Sequence, residues 1–305
     1  MRVGVTGSSG FIGSALVEAL QERGDDVVRF VRPQSRGDNG AVIRWDPSQG
    51  YVDEQDLRRQ GGFDAVVNLA GAGIAEHRWT RTRRAEILRS RLDATSLLVR
   101  ALGDVRAGAT LLASGSAIGY YGSCGDQLLD ESAPRGQDFL AEVCVGWERA
   151  AGAASALGTT VAFLRTGIVM SEKGGALKRQ LPLFRWGAGG RLSAGGQWLS
   201  PISMRDEVRA ILWIIDHKVE GPFNLVAPMP LTNRDFTSEL ARQLHRRAFL
   251  AVPAVALEIA LGRELANIAV LASQRTLPQR LLEEGFVHDH PDASAILAWA
   301  LRSTH

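Results

Sequence analysis

The stretch Val3-Gly4-Val5-Thr6-Gly7-Ser8-Ser9-Gly10-Phe11-Ile12-Gly13 decides the fold. A short apolar, β-branched run over Val3–Thr6 predicts a strand, and an apolar-periodic run over Ile12–Arg23 predicts a helix. Between them lie three glycines spaced Gly7-x-x-Gly10-x-x-Gly13. A pair of phosphates needs backbone N–H groups aimed at it from a helix N-terminus, and glycine lets the chain turn tightly and come close. Gly7 is expected to make the turn, Gly10 to admit a pyrophosphate and Gly13 to let helix and strand pack, with Ser8, Ser9, Phe11 and Ile12 completing the loop. A glycine triplet alone is a weak signal. Placed between a strand and a helix in an alternating α/β chain, it is a dinucleotide fingerprint.

Working outward, strands are predicted at Val27–Val31, Ala41–Trp45, Ala65–Leu69, Thr110–Ala113 and Val161–Leu164, with helices over Thr82–Leu102 and Phe139–Leu157. Such alternation marks βαβ units and a parallel sheet. Beyond Gly167 the texture changes. Trp186–Gly196 is glycine-rich and expected to be a loop or hairpin; Met204–Asp216 and Asn233–His245 have helical spacing, Pro222–Val226 suits a strand, and the chain from about Phe249 is expected to be mostly helical. The predicted fold is α/β, a Rossmann-type doubly wound parallel sheet with a smaller, mostly helical C-terminal substrate lobe. Residues 1–168 form the cofactor-binding domain and 169–305 the lobe, including a small helical domain at about 249–301.

The choice of dinucleotide is expected near the end of the second strand. A carboxylate there pairs with the ribose 2′-OH of NAD, whereas an arginine accommodates the 2′-phosphate of NADP. Here Val27-Val28-Arg29-Phe30-Val31-Arg32 ends without a carboxylate, so NADP(H) is expected, with Arg32 on the 2′-phosphate and Arg36 as its helper.

Composition excludes other classes. The 305 residues carry 35 Lys+Arg against 33 Asp+Glu, a net charge of +2 with the signs interspersed, which argues against a nucleic-acid surface. Two cysteines, Cys124 and Cys144, cannot build a disulfide framework, so a reducing, cytoplasmic setting is expected. No run of about 18 apolar residues predicts a membrane span. The histidines lack ligand spacing apart from His288-Asp289-His290, and no metal is expected.

The chain resembles the short-chain dehydrogenase/reductase superfamily in its extended, epimerase-like branch. Beyond the glycine loop, the similarity lies in Asn68-Leu69-Ala70-Gly71, Ser114-Gly115-Ser116, Tyr120-Tyr121-Gly122, Leu164-Arg165-Thr166-Gly167 and Ile202–Val208. More narrowly, Trp45-Asp46-Pro47, Arg78-Trp79-Thr80, Ser90-Arg91-Leu92, Phe139-Leu140-Ala141, Trp147-Glu148 and the tail Leu277–Phe286 are similar to an atypical subfamily ending in a small domain of unknown function. The resemblance implies that Asn68, Leu69, Ala70 and Gly71 line the cofactor's adenosine half. It implies an NADP(H)-dependent oxidoreductase or epimerase-like enzyme and does not supply the substrate, which is expected to be an unidentified carbonyl or nucleotide-sugar-like compound.

The departure is chemical. The superfamily's proton transfer uses Tyr-x-x-x-Lys, yet the residues four beyond Tyr51, Tyr120 and Tyr121 are Gln55, Cys124 and Gly125. If Glu148 is matched to the acidic residue of that helix, the dyad positions fall on Leu140 and Cys144, neither of which replaces a phenol–ammonium pair. The catalytic candidates are therefore Ser116, at a strand end, and Tyr120 and Tyr121 in the next loop; the tyrosines equally suit a pocket wall. Arg78, Trp79, Arg191 and Trp198 are candidate substrate contacts, with His77 secondary. A noncatalytic NADP(H) sensor is the alternative. Apolar spacing at Val255, Leu257, Ile259, Ala260, Leu261, Ile268, Val270 and Leu271 suits a core or a homodimer face.

Overall fold

The computed structural model describes residues 1–35, 40–104 and 108–302; Arg36 and His305 lie outside them. Its centre is an eight-stranded sheet. The chain enters on β1 (Arg2–Thr6), crosses by α1 (Phe11–Glu22) to β2 (Asp26–Val31) and continues to β3 (Ala41–Asp46) and the short β4 (Tyr51–Val52). It returns through α2 (Glu54–Gln60) to β5 (Phe63–Asn68), on the other side of β1. From there α3 (Arg81–Asp104), β6 (Ala109–Ala117), α4 (Phe139–Gly152) and the strands Thr160–Thr166 and Gly221–Leu225 build outward. The spatial order runs Gly221–Leu225, Thr160–Thr166, β6, β5, β1, β2, β3, β4. Every pairing in it is parallel except β3 with β4. The winding reverses at β1, so the crevice of such a sheet opens beyond the C-terminal ends of β1 and β5.

Strand alternation explains the layers. Val3, Val5, Ala65, Val67, Leu111 and Ala113 face Leu16 and Leu20 of α1 and Val208, Ile211 and Ile215 of α6 (Met204–His217). Val28, Phe30, Val66, Leu112 and Val161 point the other way, against Leu97, Leu98 and Leu102 of α3. A further apolar cluster joins Leu177, Leu181 and Phe184 of α5 (Gly175–Arg185) to Phe236 and Leu240 of α7 (Asn233–Gln243) and to Ile296, Leu297 and Ala300 near the C-terminus.

Two regions differ from expectation. Within Trp186–Gly196, the strand Gly190–Leu192 pairs in parallel with Leu250–Val252, so it belongs to no hairpin. The same pairing puts a strand into the mostly helical end of the chain, and Arg275–Thr276 adds another beside Leu128–Leu129. Partners this distant leave no local signature. The helix α5 also lacked one, because Pro182 lies inside it. Among the described residues no helix is long and apolar enough to cross a membrane, and no cluster of three His, Cys, Asp or Glu side chains could hold a metal ion.

Candidate active site

At the C-terminal end of β1 the chain turns through Gly7 with φ +64° and enters α1 at Gly10. A Cβ on Gly7 would lie 2.7 Å from the Leu69 carbonyl oxygen, and one on Gly13 only 2.1 Å from the Gly7 carbonyl oxygen. Glycine is therefore required for the turn and for loop-on-helix packing. Below the loop, Thr6 Oγ1 donates to Asn68 Oδ1 at 2.8 Å and accepts from the Leu69 and Ala70 amides. Asn68 Nδ2 donates to Thr95 and Ser114. Asn68 is thus a buried pin joining β1, β5 and β6, behind the crevice and off its surface.

Two cavities flank the loop and share Gly7 and Gly71. The larger, about 840 Å³, is bordered by Ser8, Ser9, Ala70 and the end of β2, including Arg29, Arg32 and Ser35. The smaller, about 420 Å³, is bordered by Gly10, Phe11, Ile12, Gly13 and Leu69, then by Ser116, Leu140, Cys144, Thr166 and Trp198. Every expected cofactor residue within the described part of the chain, except Asn68, borders one or the other. Arg32 is not idle: its Nη1 donates to Asp46 Oδ1 at 2.6 Å. Arg29 and Arg89, which pattern alone did not single out, border the same cavity.

Behind the wall of the smaller cavity, Ser116 opens a buried polar network. Ser116 Oγ donates to Glu148 Oε1 at 2.7 Å, and Arg165 grips both Glu148 oxygens at 2.8 and 3.0 Å. Arg165 Nη1 also donates to Tyr121 Oη at 3.0 Å, and Tyr121 donates to Asn224 Oδ1 at 2.7 Å. Burial pushes the Tyr121 phenol up to about 12. Its hydroxyl is committed to this network and does not border the cavity. Tyr120 is likewise set back, its ring 3.5 Å beneath the Arg165 guanidinium. Of the three catalytic candidates, only Ser116 reaches the cavity wall.

Leu140 and Cys144 both border this cavity, side by side on α4, with the face oriented by Asp138 capping the helix at the Ala141 amide. Burial, reinforced by the nearby Glu148 charge, pushes the Cys144 thiol up to about 11, so it stays neutral at physiological pH. Trp198 borders the cavity, its Nε1 donating to Asp126 and its ring lying 4.1 Å from the Arg275 guanidinium. The other proposed substrate contacts do not reach it. Arg78 donates to the carbonyls of Ile259 and Ala260, tying its loop to the helix α8 (Ala254–Leu261). Trp79 donates to Ile74 and meets Phe139 edge-on; Arg191 lies in the Gly190–Leu192 strand; His77 is exposed. The side chains of Arg78 and Trp79 turn to structural tasks.

A glycine loop at the switch point of a doubly wound parallel sheet, flanked by two cavities, defines a Rossmann protein of the short-chain dehydrogenase/reductase type. The chain belongs to the NAD dependent epimerase/dehydratase family, whose model matches residues 3–226, while a domain of unknown function, DUF1731, matches residues 252–300. An epimerase family protein of Mycobacterium tuberculosis is 40% identical over 299 residues, covering 98% of this chain and 97% of its own. The crystal structure of human epimerase family protein SDR39U1 with NADPH superposes with a TM-score of 0.86 at 31% identity, covering 98% of this chain and 99% of that one. A structure described as a nucleoside-diphosphate sugar epimerase from Corynebacterium glutamicum gives 0.79 at 34% identity, covering 99% of this chain and 58% of that one.

Proposed function

We propose that this chain is an NADP(H)-dependent oxidoreductase or epimerase-like enzyme acting on a small carbonyl or nucleotide-sugar-like substrate without a Tyr-x-x-x-Lys dyad. The observation that carries it is the pair of cavities on either side of Gly7 and Gly71, which line both, with Arg29 and Arg32 bordering one and Ser116 the other. The glycine contacts fit a dinucleotide, and the similarity to a human protein solved with NADPH supports NADP(H). Ser8, Ser9 and the α1 N-terminus would hold phosphates, and Arg32 with Arg29 the 2′-phosphate. The cofactor, when bound, supplies or takes up hydride. Ser116, whose hydroxyl hydrogen is held by Glu148, offers its lone pairs to the hydroxyl of the substrate pair's alcohol form. Of the two substrate classes, the wall of Leu140, Val143, Leu199, Ile268, Ala269 and Ala272 favours a carbonyl compound with an apolar body.

The second reading, a noncatalytic NADP(H) sensor, draws on Leu140 and Cys144 at the dyad positions and on the committed Tyr121 hydroxyl. NADPH and NADH titrations of wild type and Arg32→Ala, followed by a turnover screen of apolar aldehydes, ketones, quinones and nucleotide sugars, separate the two. Enzyme function predicts NADPH preference, loss of that preference in Arg32→Ala, and turnover that falls in Ser116→Ala. Tight NADPH binding with no turnover on any class favours the sensor, and failure to bind NADPH removes both. A cytoplasmic setting is proposed from the two unpaired cysteines, and a homodimer from the exposed Val255 and Ile259 of α8; light scattering tests the latter.

A further inference from the structure

We propose that Arg91 is an anion-binding residue of the cofactor groove and takes the phosphate on the nicotinamide side of the dinucleotide. The proposal rests on the NADP(H) reading above. Arg91 projects from α3 onto the wall of the smaller cavity, against Gly71, which lines both cavities. Its Nη1 donates to the carbonyls of Ala72 and Ile87, both at 3.0 Å, and its guanidinium stands 5.0 Å from the Trp147 ring centroid. No carboxylate among the described residues lies within ion-pair distance of it. By contrast, Arg2, Arg23, Arg32, Arg44, Arg83, Arg84, Arg165 and Arg209 each have a carboxylate partner.

A half-buried cation without a counter-ion is costly, and neutral carbonyls offset only part of that cost. Burial indeed pulls the Arg91 pKa below the ordinary guanidinium value. A fold that keeps such a group at the mouth of a ligand cavity is completed by an anion arriving there. The groove orders the dinucleotide's anions. Arg29 and Arg32 stand at the β2 end, where the 2′-phosphate is expected, whereas Arg91 stands beside the glycine loop and the Ser116 cavity, where the pyrophosphate must cross. Arg91 and Cys144 both line the smaller cavity, so a cation from α3 shares that wall with the α4 position matched to the missing lysine.

A purely structural alternative is that Arg91 clamps the loop after β5, since Ser90 Oγ accepts from the Ala72 amide while Arg91 donates to the Ala72 carbonyl. Fragment binding separates the two. Calorimetric titration of wild type, Arg91→Lys and Arg91→Gln with NADPH and with 2′,5′-ADP compares a whole cofactor with one lacking the nicotinamide-side phosphate. The expected result is that Arg91→Gln weakens NADPH about 10- to 100-fold, in the range of a lost charge-assisted bond. Binding of 2′,5′-ADP should stay within about twofold, and Arg91→Lys should recover much of the NADPH affinity. Equal losses on both ligands would mark Arg91 as a loop clamp and overturn the proposal, as would unchanged NADPH binding by Arg91→Gln. If Arg91→Gln does not fold, the same comparison is read from Arg91→Lys, where a change confined to NADPH supports the assignment and a shared loss or none overturns it. A wild type that binds neither ligand would instead sink the cofactor reading itself, and this proposal with it.

Discussion

Glu207 is wholly buried beneath the end of the Thr160–Thr166 strand, its Oε1 accepting from Thr166 Oγ1 at 2.8 Å and its Oε2 meeting no partner. Burial pushes its carboxyl up to about 8 against an ordinary value of 4.5, with the Thr166 bond pulling weakly the other way. A folded-state pKa above the unfolded one means the fold prefers the protonated acid. The resulting stabilisation is whole below about pH 4.5 and is lost as pH rises through about 8. Inside that window the slope approaches roughly 1.4 kcal/mol per pH unit. Glutamine copies the neutral acid, so Glu207→Gln should flatten the decline and melt above wild type at pH 8, while the two converge near pH 5. Parallel melting curves across pH 5–8 would contradict this. The residue lay in plain view within Ile202–Val208, but a string of letters does not state burial. Tyr121 teaches the same: its place after Ser116 was legible, whereas its bond to Asn224 depends on a strand that closes far along the chain.

The elements that meet at the site are held by one buried ion pair. Ser116 ends β6, Glu148 lies on α4 and Arg165 on the Thr160–Thr166 strand, so the Ser116–Glu148–Arg165 chain fixes three elements at the cavity floor. Removing one partner of a buried pair strands the other charge, at a cost of about 3–5 kcal/mol; replacing both by apolar groups of similar size is often nearly neutral. Glu148→Gln should therefore lower the urea midpoint sharply, and Glu148→Met with Arg165→Met should lower it far less. A double variant as unstable as Glu148→Gln would show that the pair stabilises by more than mutual neutralisation. The elements themselves were legible because strand alternation and helix periodicity are local properties, and the capping Asp138 marks the start of α4. Their pairing across the site was not, since nothing in the spacing of Glu148 and Arg165 says that the two side chains face each other.

Across the whole molecule, the far wall of the small cavity comes from residues in or next to the DUF1731 match. Ile268, Ala269, Ala272 and Gln274 line it together with Leu140 and Val143, and Ile268 packs on the cluster of Ile87, Phe139 and Val143. This wall is stitched down. Gln274 Nε2 donates to the carbonyls of Ile118 and Gly122, the Cys124 amide donates to Ser273, and Arg275–Thr276 extends Leu128–Leu129. The loop that carries Ser116 onward is therefore gripped by the C-terminal segment, and the cavity is incomplete without it. The apolar spacing of Ile268, Val270 and Leu271 suggested a core or a dimer face, and periodicity could not say that Ile268 looks into a pocket. If this wall selects the substrate while the glycine loop binds the cofactor, the two functions separate by mutation. Ile268→Ser removes apolar surface from the part of the cavity wall that the C-terminal segment supplies. NADPH affinity should stay within about twofold, whereas kcat/KM for an apolar carbonyl substrate should fall about tenfold, the scale of losing one to two kcal/mol of apolar contact. A fall in NADPH affinity of the same size would instead place Ile268 on the cofactor side. An unchanged kcat/KM would mean that the wall takes no part in substrate choice.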